Sequence, residues 1–180
     1  MKQIITATVF FMSLFSIESY ARNFTLQSDD LQGQLSIDQV FNGFGCNGKN
    51  ISPELGWSDE PKNTKSYAIT MYDPDAPTGS GWWHWIVYDI PKNIHSLKSN
   101  ASALHFLPQG AVEGITDYQT RGFGGACPPK GNKPHRYIIT IYALDIAKLP
   151  APKDANPALL GYLINAHTIK KSSLISYYGR

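Results

Sequence analysis

Three short segments concentrate the side chains able to do chemistry. Asp73-Pro74-Asp75-Ala76-Pro77 offers two carboxylates between prolines, and Gly81-Trp82-Trp83-His84-Trp85 sets an imidazole among three indoles. Cys127-Pro128-Pro129-Lys130-Gly131 runs on to Pro134-His135-Arg136-Tyr137. Each proline holds its torsion and lacks an amide hydrogen, so the first loop is stiff and presents its carboxylates in defined directions. Imidazole, phenol and carboxylate together suit charged-ligand recognition, metal ligation or acid–base work. Spacing weighs against the last two. Asp73, Asp75, His84 and His135 are suitable zinc donors, but no His-Glu-x-x-His or comparable spacing is present. Ser80 in Gly79-Ser80-Gly81 is not a nucleophile elbow, and no oxyanion-hole segment accompanies it. Gly43 to Asn50 approaches a phosphate-binding loop, but Asn50 stands where Ser or Thr is required and Pro53 denies it a following helix. The expectation is a binding site without metal or cofactor, and a protein that is not an enzyme. Each segment alone also has a bland structural reading: a turn, a core histidine, packing at a strand start.

Positioning these residues falls to strands. Twelve prolines, fifteen glycines and many aromatics favour strands and turns over a helix bundle. Phe24 to Leu31 and Gln34 to Phe41 alternate, Tyr67 to Tyr72 and Trp83 to Ile90 are aromatic and branched, and Arg136 to Leu144 is the strongest run. Alternation places His135 and Tyr137 on one face and Arg136 on the other. Near the end a helix is expected: Asn156 caps, Pro157 takes the first position, and Leu159, Leu160, Leu163, Ile164 and His167 recur at helical spacing. The fold class is mainly β, an antiparallel architecture with a helix near the C-terminus.

With 42% hydrophobic residues in 180, the chain has enough apolar mass for one domain with a true core. Its net charge of +2 leaves no basic excess to neutralise phosphates, which argues against nucleic-acid binding. The first residues read differently. Lys2 precedes an apolar stretch from Ile4 to Ile17, too short to span a bilayer, and Ser19-Tyr20-Ala21 supplies the small residues of a signal-peptidase site. Residues 1–21 are therefore expected to be a signal peptide and 22–180 the mature domain, periplasmic or secreted, with no membrane span. In an oxidising compartment Cys46 and Cys127 are expected to form a disulfide, the alternative being two buried thiols.

The three segments, in this order, resemble the signature segments of the phosphatidylethanolamine-binding protein family, also called Raf kinase inhibitor-like proteins. The resemblance covers nearly the whole mature chain. With a signal sequence, Gly43-Phe44-Gly45-Cys46 and Gly124-Gly125-Ala126-Cys127, it is most similar to the bacterial periplasmic branch. The resemblance implies two antiparallel sheets with a few peripheral helices, and a small pocket for phosphate, phosphorylated ligands or phospholipid head groups. It implies that Asp73, Asp75, Trp82, His84, Pro129, His135 and Tyr137 line the pocket. A zwitterionic ligand would set its phosphate against His84, His135 and Tyr137 and its ammonium against an aspartate. The alternative is a protein-binding surface that inhibits an extracytoplasmic protease or engages a host protein. An exposed Trp82 or Trp83 leaves a dimer open.

Overall fold

A computed structural model describes residues 23–180; the expected signal peptide, 1–21, lies outside the described residues. In chain order the elements are β1 (Thr25–Gln27), one 3-10 turn (Ile37–Gln39), β2 (Asn42–Gly43), β3 (Cys46–Asn47), β4 (Leu55–Ser58), β5 (Ser66–Asp73) and β6 (Trp82–Pro91). They continue with β7 (Ser96–Leu97), β8 (Val112–Glu113), β9 (His135–Leu144), α1 (Pro157–Ala166) and β10 (Thr168–Tyr178). The large sheet has the order β10-β9-β5-β6-β8, a small one β1-β4-β7, and β2-β3 forms a separate hairpin. Every pairing between named strands is antiparallel, as expected of the fold class.

Alternation along β5 explains the two-sided core. Tyr67, Ile69 and Met71 join Tyr137, Ile139 and Ile141 of β9 and Leu26, Leu55 and Trp57 of the small sheet, so the two sheets close on one apolar layer. On the opposite face Ala68, Ile86, Tyr142 and Leu144 meet Leu160 and Ile164 of α1. Asn156 caps that helix by accepting the Leu159 amide at 2.8 Å, with Pro157 in the first turn. Its buried stripe is narrower than the spacing suggests, because Leu159 is exposed.

Two strand expectations are corrected. Gln34 to Phe41 is not a strand: the Ser36 hydroxyl accepts the Asp38 amide while the Gln39 side chain reaches back to the Ser36 amide, a reciprocal cap that gives the backbone an alternative to a ladder. Of Phe24 to Leu31, only Thr25–Gln27 pairs with β4. Beyond it, the Glu54 amide donates to Asp30 at 2.7 Å and the Asp29 amide donates to Glu54, so side chains replace the ladder. Among the described residues no helix is long and apolar enough to cross a membrane.

Cys46 of β3 is bonded to Cys127, with S–S 2.11 Å and Cα–Cα 6.0 Å, which is the expected disulfide and not the alternative of two buried thiols. The bond joins the β2–β3 hairpin to the Pro128-Pro129 loop across a sequence separation of 81 residues. A closure of that length contributes up to about 4 kcal/mol in the chain-entropy account. The paired change Cys46→Ser with Cys127→Ser should therefore lower the thermal midpoint by several degrees without changing the far-ultraviolet circular dichroism. An unchanged midpoint would mean that the bridge does not constrain the chain.

Candidate functional site

Three strand ends converge at one edge of the large sheet. β5 ends at Asp73, directly opposite Trp82 at the start of β6, while Tyr72 is opposite Ile138 near the start of β9. The motif residues are thus assembled by register. The β5–β6 connection is closed by the Tyr72 hydroxyl donating to the Ser80 carbonyl at 2.7 Å and Thr78 donating to Gly81 at 2.5 Å. A Cβ at Gly81, whose φ is +69°, would lie 2.2 Å from the Tyr72 hydroxyl, so this turn requires glycine.

A register shift between Met71 and Tyr72 decides where the imidazole points. Met71 is opposite Trp85 and Tyr72 opposite Trp83, so His84 is the additional residue of a bulge. Consequently Trp83 packs towards α1, whereas His84 and Trp85 both turn to the sheet's inner side, where they meet Tyr137 and Phe123. Simple alternation would have separated His84 from Trp85.

The ends enclose a cavity of about 220 Å³ lined by Asp73, Trp82, His84, Pro129, His135 and Tyr137, with Phe44, Tyr118 and Ala76 to Thr78 at its walls. His84 is buried, and its Nδ1–H donates to the Gly124 carbonyl at 2.8 Å and lies 3.2 Å from that of Gly125. Burial pushes its pKa down, opposed by those two carbonyls and by the Asp73 charge, so the ring is neutral at pH 7. Its remaining nitrogen, Nε2, is buried without a partner, as are the Tyr137 hydroxyl and the Trp82 indole nitrogen. The Trp82 N–H leans towards the Tyr118 hydroxyl without reaching hydrogen-bond geometry. Burial and the Asp73 charge hold the Tyr137 phenol protonated, so it can donate. Three buried polar atoms without partners thus belong to residues around one cavity, and two of them, the Tyr137 hydroxyl and the Trp82 N–H, are donors.

Neither aspartate is free. Asp73 is buried, its Oδ1 accepting the Asp75 amide and its Oδ2 accepting His135 Nδ1–H, each at 2.8 Å. That fixes the His135 ring, with Asn132 Nδ2 3.4 Å from its Nε2. Asp75 does not line the cavity. Its carboxylate accepts Arg136 Nε at 2.9 Å, Arg136 Nη2 at 2.7 Å and the Arg136 amide at 2.8 Å, which holds its pKa at about 2. The expected pairing of an aspartate with a ligand ammonium therefore finds no unengaged carboxylate among these two.

Several contributors lie outside the sequence motifs. Tyr118 donates to the Gly125 carbonyl at 2.8 Å and stacks on Phe41 and Phe44. A Cβ at Gly124 would fall 2.3 Å from its ring, so that glycine lets the aromatic wall approach. Asn50, the misfit of the phosphate-loop pattern, braces the same ribbon: its Oδ1 accepts the Gly125 amide at 2.7 Å and its Nδ2 donates to the Phe123 carbonyl at 3.0 Å. Arg180 donates from Nε to Pro128 and from Nη1 to Gly45, each at 2.7 Å, beside the disulfide. His95 and His167 pair with Glu60 and Asp145 elsewhere.

Comparison with known proteins points to one family and fold. Residues 27–179 match the family described as phosphatidylethanolamine-binding protein. The UPF0098 protein YbcL of Escherichia coli K12 is 46% identical over 180 residues, covering 99% of this chain and 98% of the relative. YbhB of the same strain is 43% identical over 156 residues, covering 85% and 98%. The crystal structure of E. coli YbcL, described as a new member of the mammalian PEBP family, is similar at TM-score 0.84 and 46% identity, covering 87% of this chain and 98% of that one. A Chlamydia trachomatis homologue is similar at TM-score 0.72 and 28% identity, covering 87% and 97%.

The Asp75–Arg136 pair sets a pH dependence. Asp75 has its pKa lowered below the ordinary 3.8, so its contribution to stability is complete above about pH 4 and is lost as pH falls through about 2. Carbon-detected titration should place the Asp75 carboxyl midpoint near 2, and Arg136→Ala should return it to the ordinary carboxylate range. A wild-type midpoint near 4 would show that the pair is not formed.

Proposed function

The chain belongs to the phosphatidylethanolamine-binding protein family, and from that premise we propose that it is an exported binding protein whose cavity holds a phosphoryl group, not an enzyme. The carrying observation is the set of buried, unpartnered His84 Nε2, Tyr137 hydroxyl and Trp82 indole nitrogen around a cavity of about 220 Å³. Tyr137 and Trp82 donate to phosphoryl oxygens. His84 Nε2 shares a proton with a third oxygen, drawn from solvent or carried by the phosphate. The Asp73 charge is contained by the Asp75 amide and His135, which limits its repulsion of an anion.

Binding without turnover fits the hydroxyls at the cavity. Thr78 and Tyr118 donate to backbone carbonyls, and Tyr137, pushed up in pKa, is a weak nucleophile. Among the described residues no imidazole hydrogen-bonds to any of them: His84 is engaged with Gly124 and Gly125, and His135 with Asp73 and Asn132. Export is supported by the disulfide and by the leader pattern of residues 1–21.

Because His84 is neutral in the free protein, an anion bound at Nε2 raises its pKa and takes up a proton. Affinity should rise as pH falls from the bound-state pKa towards the lower free-state one. Titration calorimetry with inorganic phosphate at about pH 8, where the dianion dominates, should give different heats in two buffers of unlike ionisation enthalpy. His84→Gln should abolish that difference and weaken binding about 10- to 100-fold, as for a lost hydrogen bond to a charged group. Equal heats and a pH-independent affinity would contradict the reading, as would turnover of phosphoesters.

A further inference from the structure

His135 stands between the phosphoryl cavity and a separate depression. This second depression is wider, about 720 Å³, and is bounded by Asp75, Asn132, Lys133, His135, Arg136 and Tyr177. His135 lines both. Both depressions also lie between the same two loops, because Ala76, Pro77 and Pro129 border the first and Asp75, Gly131 and Asn132 the second. Arg136 and its register partner Tyr177 lie on the face of β9 and β10 away from Tyr137, so a ligand longer than phosphate would reach the second depression around the start of β9, at His135.

The chemistry of this extension is cationic. Arg136 gives Asp75 its Nε and one hydrogen of Nη2, held in a fixed fork, while its Nη1 donates to nothing among the described residues. Lys133 is exposed and forms no ion pair among the described residues. Asn132 adds an amide beside His135. The one carboxylate lining the depression, Asp75, already accepts three hydrogen bonds from Arg136, so an ammonium would find cations and an engaged acid. An anionic group would find open N–H donors on two side chains.

Building on the phosphoryl reading of the neighbouring cavity, we propose that the depression at Lys133 and Arg136 is a second anion subsite, and that the ligand is a phosphoryl compound bearing a second anionic group such as a carboxylate. The phosphoryl group lies against His84, Trp82 and Tyr137. The second anion passes His135 and meets Lys133 and Arg136 Nη1. Ligand preference then runs opposite to that of an ethanolamine head group, whose second charge is positive.

A matched pair isolates this claim. 3-Phosphoglycerate and glycerol 3-phosphate share a skeleton and a phosphoryl group, and differ in a carboxylate against a neutral hydroxymethyl. Calorimetry with the mature, disulfide-bonded protein should show 3-phosphoglycerate binding about fivefold more tightly, the upper range for exposed ion pairs. Phosphorylethanolamine should gain nothing over glycerol 3-phosphate. Lys133→Ala should bring the two glycerol compounds closer together, and raised ionic strength should narrow the gap in the wild type. Equal affinities for the pair while inorganic phosphate binds would overturn the second subsite alone, as would a preference unchanged in Lys133→Glu. Failure of inorganic phosphate and both glycerol compounds to bind would overturn the phosphoryl cavity and the subsite together. Vesicles of phosphatidylcholine doped with phosphatidylserine or with phosphatidylethanolamine separate the sources of the same chemistry. Retention on phosphatidylserine alone, released by 3-phosphoglycerate, places the carboxylate on a lipid; soluble binding without retention places it on a free metabolite.

Discussion

Everything at the strand ends depends on how one buried imidazole places its single ring hydrogen. His84 sits where desolvation disfavours charge, so it is neutral and carries one N–H. The carbonyls of Gly124 and Gly125 take that hydrogen on Nδ1 and leave Nε2 as the atom available to a ligand. The carbonyl ribbon is itself held by Asn50, by Tyr118 and by the Gly124 amide donating to the His84 carbonyl. Loss of the ribbon would free the ring, and the cavity would lose its most directional group.

A second layer of constraint keeps the mouth in place. The Cys46–Cys127 bond and the Arg180 side chain both tie the β2–β3 hairpin to the Pro128 segment. Phe44, at φ 53° and largely exposed, is carried on that hairpin into the wall, where it stacks on Tyr118 and meets Phe41 at a tilt. Covalent and polar ties here do what the core does elsewhere, because the hairpin has only two residues in each strand and cannot hold its position by pairing alone.

Much of this was legible in the residues. Alternation put His135 and Tyr137 on one face of their strand and Arg136 on the other, because a strand's side-chain period is two, whereas the family resemblance, not the pattern, brought Asp73 and His84 to the same pocket. What alternation cannot show is where that period breaks. The bulge at His84 sends two consecutive side chains to one side, and nothing in Trp82-Trp83-His84-Trp85 marks which residue is additional. Asp75 looked like a second cavity carboxylate. Its actual partner, Arg136, lies 61 residues away, and only the β5–β9 pairing brings them together. Tyr118 gave no signal and Asn50 was read only as the misfit of a phosphate-loop pattern, because each acts through backbone groups of one distant ribbon. The edge strand β10 was missed because Lys170 to Ser173 give it a polar face without regular apolar alternation. For Gln34 to Phe41 the signal was present: Ser36-x-x-Gln39 is a capping pattern, and it outweighed the weak alternation around it.

The account stands on the state of His84 with and without an anion. Long-range proton–nitrogen NMR of the imidazole reads that state directly. In the free protein at neutral pH, His84 should show the neutral ring protonated at Nδ1. On adding inorganic phosphate, its Nε2 should shift towards the protonated position, while His95 and His167 do not change. A His84 spectrum unaffected by saturating phosphate, or an imidazolium already present in the free protein at neutral pH, would contradict it.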